Sequence, residues 1–138
     1  MSKGILLDTC AVIWMTGNEP VNSLAAAAVS DACDRGLPVC ISHVTAWELG
    51  MLTARRRIAE TRPVEIWYDE LCKTKGLLEL PLTAKILIQS SFLPGDVHKD
   101  PFDRILIATA RERDLTIVTR DKAILAYGAA GHVHALAC

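Results

Sequence analysis

The sequence predicts an α/β domain built on a mostly parallel sheet with helices on both faces. Two observations carry that expectation. Short apolar runs of strand type recur along the 138 residues, and amphipathic or alanine-rich stretches of helical type fall between them. Glycine and proline punctuate the joins, which gives connections of the length that β-α units use. With 51% hydrophobic and 22% charged residues the chain carries enough apolar surface to build a core, and its length suits one domain spanning 1–138.

Element by element, Ile5-Leu6-Leu7 reads as a short buried strand, followed at once by Asp8-Thr9 and a helical pattern through Ala11, Val12, Trp14 and Met15. Ser23 is placed to cap a helix from Leu24 to about Arg35, which Gly36 and Pro38 stop. Val39-Cys40-Ile41 is the second strand. The helix after Ser42-His43-Val44-Thr45 is expected to turn Trp47, Met51 and Leu52 to its apolar side, with Glu48 near its start. Pro63 opens a helix to Lys75, Leu77 to Leu80 form a third strand, and Thr83 caps a helix from Ala84 to about Phe92. After a loop over Leu93 to Lys99, Asp100-Pro101-Phe102-Asp103 begins a helix that ends near Asp114. Leu115 to Val118 is the most strand-like run, and Val133 to Leu136 offers a last short strand.

Several function classes are disfavoured by composition. The first apolar run is three residues long before a carboxylate, so neither a signal peptide nor a membrane span is expected. Five scattered cysteines (Cys10, Cys33, Cys40, Cys72, Cys138) contain no C-x-x-C pair, which points to a reducing cytoplasm rather than to disulfides or a zinc knuckle. His132 and His134 share a face if the C-terminus is a strand, but no carboxylate or cysteine stands at ligand spacing beside them, and a surface edge strand is the simpler reading. Net charge is −1, so binding to nucleic acid would rely on a local basic patch or on metal ions.

The acids are more informative. Asp8, Glu48 and Asp121 each follow a predicted strand, and Asp103 opens a helix packed between two strands. Ligands of open parallel sheets bind beyond the strands' carboxyl ends, so four acids from distant parts of the chain are expected at one edge. Singly each has a plainer role. Asp8 and Asp100 suit helix caps, Asp103 the far end of a capping box, Asp121 a turn or cap, and Glu48 a solvated first turn. Together they repel one another unless they share protons or a cation binds among them. Mg2+ or Mn2+ suits such oxygen ligands and also draws in a phosphodiester backbone. Arg55, Arg56, Arg57, Arg104 and Arg120 are candidates to guide the strand, although the triplet also suits a helix C-terminus, where cations meet the helix dipole.

Four segments carry a resemblance that covers nearly the whole chain: Leu6-Leu7-Asp8-Thr9 with Trp14; Ile41-Ser42 with Trp47-Glu48-Leu49; His98 to Arg104 running into Ile107-Ala108; and Val118-Thr119-Arg120-Asp121. In this order they resemble the PIN-domain ribonucleases, most closely the toxins of bacterial VapBC toxin-antitoxin pairs. That resemblance implies a three-layer α/β/α fold with a mostly parallel sheet of about five strands, and a cytoplasmic Mg2+- or Mn2+-dependent endoribonuclease. It also implies a homodimer, and an antitoxin whose tail reaches into the site. By position Asp8, Glu48, Asp103 and Asp121 match the family's four acids, with Asp8 and Asp103 the main metal ligands. Glu48 then binds metal through water or positions the attacking water, and Thr9 and Thr119 orient the carboxylates. Cys10 stands where many relatives carry histidine, and the fourth acid is the family's most variable. An inactive PIN-like module that only binds RNA or protein is the alternative, and a response-regulator receiver is disfavoured because Leu7-Asp8-Thr9 offers no acidic pair.

Overall fold

The computed structural model describes residues 2–17, 22–58, 60–97 and 99–138. Five strands form one parallel sheet: β1 (Ile5–Leu7), β2 (Val39–Ser42), β3 (Leu77–Leu80), β4 (Thr116–Thr119) and β5 (His134–Ala137). Seven helices join them: α1 (Thr9–Thr16), α2 (Ser23–Asp34), α3 (His43–Ala54), α4 (Val64–Cys72), α5 (Ala84–Gln89), α6 (Pro101–Arg113) and α7 (Lys122–Ala129). The strand order is β3-β2-β1-β4-β5, with Leu6 opposite Cys40 on one side and Ile117 on the other.

The period-2 alternation of the strands sends successive side chains to opposite faces and divides the core into two layers. Leu6, Cys40 and Ile117 point into the layer shared with Val44 of α3, Ile86 of α5, Leu106 and Ala110 of α6, and Ile124 of α7. Ile5, Leu7, Val39, Ile41 and Val118 point the other way, against Ala11 and Val12 of α1, Ala25 and Ala32 of α2, and Leu71 of α4. The three-layer α/β/α architecture follows from that division. Burial on both faces explains why the central strands read as unbroken apolar runs rather than alternating ones.

Strand order places a switch point at the middle of the sheet. From β1 the chain winds outward through β2 to β3, then crosses back to β4 and β5 on the other side. The carboxyl ends of β1 and β4 therefore sit side by side with their outgoing chains leading to opposite faces, which opens a crevice between them.

Most expected elements stand within a residue or two of their sequence limits. Asn22, not Ser23, caps α2, its Oδ1 accepting from Leu24 N at 2.8 Å. The α4 helix stops at Cys72 rather than Lys75, and α5 at Gln89 rather than Phe92. The largest correction concerns α3, whose buried residues are Val44, Thr45 and Leu49 while Trp47 is 53% exposed. At about 100° per residue, Trp47 lies roughly opposite Leu49 on the helix, so only one of them can face the sheet. The α7 helix was not anticipated beyond its Asp121 cap; its signal is the spacing of Ile124 and Tyr127, both buried. Among the described residues no helix is long and apolar enough to cross a membrane.

Candidate active site

Asp8 ends β1 and caps α1, and it is 5% exposed. Its Oδ1 accepts from Thr9 N at 2.6 Å, while its Oδ2 accepts from Thr119 Oγ1 at 2.5 Å and from Cys10 Sγ at 3.4 Å. Thr119 closes β4, so this bond crosses the switch point and fixes the carboxylate against its neighbouring strand. The same Thr119 hydroxyl accepts from Asp121 N at 2.9 Å, which ties the fourth acid into the arrangement. Asp121 caps α7, its Oδ1 accepting from Ala123 N and Ile124 N.

Asp103 lies in the first turn of α6 and is 8% exposed. Burial pushes its carboxyl up to about 8, and the negative charges of Asp8, Asp100, Asp121 and Glu48 push in the same direction. Burial also raises Asp8, against the three hydrogen bonds that favour its charged form, and Asp121 adds to the rise. Glu48, half-buried on α3, is raised by burial and by Asp8, Asp100 and Asp121, while the Thr9 hydroxyl opposes the shift. The four acids expected from sequence are thus electrostatically one group at the carboxyl edge of the sheet.

A fifth member is Asp100. Sequence reasoning assigned it to a cap, and it is one, its Oδ1 accepting from Phe102 N at 2.8 Å. It also bears on both Asp103 and Glu48. The available signal was its spacing of three residues before Asp103, which puts both in one turn of helix.

Of the supporting residues, Thr119 donates its hydroxyl to Asp8 Oδ2. Thr9 is buried with its hydroxyl turned to the Glu48 carboxylate, though it makes no hydrogen bond of good geometry among the described residues. Cys10 is a protonated donor rather than a nucleophile, since burial and the adjacent Asp8 push its thiol up to about 12. The arginines divide. Arg120 lies over the Trp14 ring, 3.1 Å from its centroid, and its Nε donates to Cys138 O at 3.0 Å, so it is held at the rim next to Asp121. Arg104 donates its Nε to Ser90 O at 2.8 Å, which ties α6 to the end of α5. Arg55, Arg56 and Arg57 are exposed at the far end of α3, with Arg55 about 10 Å beyond Glu48 along the axis. His134 opens β5 at the sheet edge and pairs with Asp114 at 3.6 Å, whereas His132 stands in the bend before that strand and stacks on Tyr127, so the two do not share a strand face as expected. His98, part of the most telling sequence segment, lies outside the described residues.

A profile of the family described as PIN domain matches residues 5–130, from the first residue of β1 to just beyond α7. The chain belongs to the PIN domain family. It is 29% identical over 121 residues to Ribonuclease VapC22 of Mycobacterium tuberculosis (strain ATCC 25618 / H37Rv), covering 86% of this chain and 87% of that one. Among solved structures it is similar to VapBC2 from Rickettsia felis bound to a DNA fragment from its promoter, with a TM-score of 0.66 at 12% identity over 97% of this chain and 98% of that one. It is also similar to FitAcB from Neisseria gonorrhoeae, with a TM-score of 0.60 at 22% identity over 96% of each chain. These likenesses show a shared fold over nearly the whole chain.

Among the described residues, the oxygen groups around this PIN-domain crevice are five carboxylates and the Thr9 hydroxyl. That set suits a hard divalent cation, and the sulfur beside it, Cys10 Sγ, is a protonated donor to Asp8. Among the described residues no three His, Cys, Asp or Glu side chains close on one point as a finished metal cage. An open site of this kind suits Mg2+ or Mn2+, which keep several waters and take one or two protein carboxylates together with substrate phosphate oxygens.

Proposed function

We propose that this PIN domain is a divalent-metal-dependent endoribonuclease and the toxin of a toxin-antitoxin pair. The observation that carries the reading is the buried Asp103 carboxyl, pushed up to about 8 amid four other acids, an arrangement that is costly to keep unless a cation joins it. Support also comes from the name of the relative, a ribonuclease, and from the toxin-antitoxin setting of a similar solved structure, a toxin-antitoxin complex from Klebsiella pneumoniae. A cation in this site, when bound, polarises a phosphodiester and makes a coordinated water more acidic.

Each residue has a part in that reading. Asp8 and Asp103 hold Mg2+ or Mn2+ directly, Asp8 with its orientation fixed by Thr119 and Thr9. Glu48 orients the attacking water and takes its proton, and Thr9 steadies Glu48. Asp121 contributes from the rim, more weakly because its carboxylate already serves α7. Arg120 meets the RNA phosphates next to the site, with Arg55, Arg56 and Arg57 farther along the strand's path and Arg104 acting through its tie to α5. A homodimer and an antitoxin that covers the acids complete the proposal, in the cytoplasm.

Purified protein should cut single-stranded RNA internally with Mn2+ or Mg2+ and not with excess chelator. Asp8→Asn and Asp103→Asn should each lower the rate by at least about a hundredfold, the scale of losing a principal charge-stabilising group. Cleavage by both variants at the parent's rate would remove the site from the reaction.

A further inference from the structure

Trp47 and Phe102 form an aromatic pair between α3 and α6, the two helices that carry Glu48 and Asp103. Trp47 precedes Glu48 on α3 and Phe102 precedes Asp103 on α6, so the pair spans the two helices that deliver those carboxylates. The ring centroids are 4.1 Å apart with the planes tilted by 46°. Phe102 packs partly against the core, whereas Trp47 keeps 53% of its surface exposed. One turn further along α3, Gly50 has no atom within 4 Å of where a Cβ would stand, so the surface next to the indole is open. Phe102 thus anchors the indole from within, and the other side of the ring is left for an occupant.

We infer that Trp47, backed by Phe102, is a stacking platform for one unpaired nucleobase of the RNA, adjacent to the cleaved phosphate. The inference rests on the nuclease reading above. A strand whose phosphate meets the five acids carries its bases within a side chain's reach, and single-stranded RNA is recognised by stacking splayed bases on aromatic rings. An indole offers the largest such face, held here at little entropic cost because Phe102 already restrains it. The platform holds one base and, through stacking strength, favours a purine at one position relative to the cut, a bias the phosphate-directed arginines cannot supply.

The test compares the full chain with Trp47→Phe and Trp47→Ala, after thermal melts establish equal folding. Cut ends are mapped on a random-sequence single-stranded RNA pool with Mn2+. Each protein is also titrated with a short fluorescein-labelled RNA of mixed sequence in Ca2+, a cation of looser oxygen geometry. Trp47→Ala should raise both KM and the RNA Kd about tenfold, equivalent to ~1.4 kcal/mol and within the range for one stacked base. It should leave kcat within about twofold and flatten the base preference at one position, while Trp47→Phe keeps most of the parent's affinity and preference. Unchanged KM, Kd and base preference in Trp47→Ala overturns the platform. So does a loss confined to self-association or to binding of a protein partner, which would make the indole a protein contact. If the parent cuts no RNA yet its Kd still depends on Trp47, the platform stands and the hydrolysis reading falls.

Discussion

Asp8 carries three donors on its carboxylate, and the strongest tie comes from the neighbouring strand through Thr119. Removing that hydroxyl leaves a buried carboxylate oxygen with less support and frees Asp121 N as well. Thr119→Val should therefore weaken Mn2+ binding about tenfold, the usual scale for a group that positions a ligand, whereas Thr119→Ser should keep it; titration calorimetry reads both. Asp103 makes a prediction about pH. Its folded-state value of about 8 lies far above the unfolded carboxylate's roughly 3.9, so the folded chain holds the extra proton between those limits. The metal-free protein should then lose stability as pH rises from about 4 to about 8, and Asp103→Asn should flatten that slope in denaturant titrations. At this scale the sequence showed which acids gather at the sheet edge but not their protonation, because burial and the charges of chain-distant neighbours set it. Asp100 illustrates a second limit. The sequence showed its cap and could not show that the same carboxylate also faces Asp103 and Glu48.

Helix starts are how the elements aim these acids. Asp8, Asp100 and Asp121 all cap helices, and Asp103 lies one turn inside another, so positive helix ends lean toward the cluster and offset some of its charge. Capping and metal holding can be separated at Asp100, since asparagine caps as well as aspartate does. Asp100→Ala should cost about 1 kcal/mol of stability, Asp100→Asn almost nothing, and any fall in cleavage rate that Asp100→Asn retains measures the carboxylate's share in the site. Helix ends were legible because Asx caps, Pro101 and the glycines are local signals. The buried face of α3 was not. Trp47 is the most apolar-looking residue of that helix, yet Val44, Thr45 and Leu49 pack inward, since the placement of α3 beside α6 and the sheet decides which stripe is covered. The α7 helix escaped notice for a related reason: its alanine-rich run has little periodicity, and its stability comes from Ile124 and Tyr127 meeting a core that only the fold assembles.

For the molecule as a whole, the alternation of strands and helices was enough to foresee a parallel sheet covered on both faces, and the rule that parallel sheets work at their carboxyl edge was enough to place the acids. The strand order was not given by that pattern. It is the order β3-β2-β1-β4-β5 that sets Asp8 next to Thr119 and makes the crevice between β1 and β4 the meeting point of chain segments more than a hundred residues apart. At the opposite edge a Cβ on Gly4 would stand 2.6 Å from Pro38 O, so β1 starts where only glycine fits against the segment that enters β2. With a net charge of −1 and an acidic crevice, the proposed action on RNA relies on a cation to draw in the phosphates, which makes metal binding the step on which the proposal depends. The most direct test is a calorimetric titration of the chain with Mn2+ at neutral pH, alongside Asp8→Asn and Asp103→Asn. The parent should bind with release of protons and each variant at least about tenfold more weakly; a parent that binds no Mn2+, or variants that bind it equally well, would contradict the account.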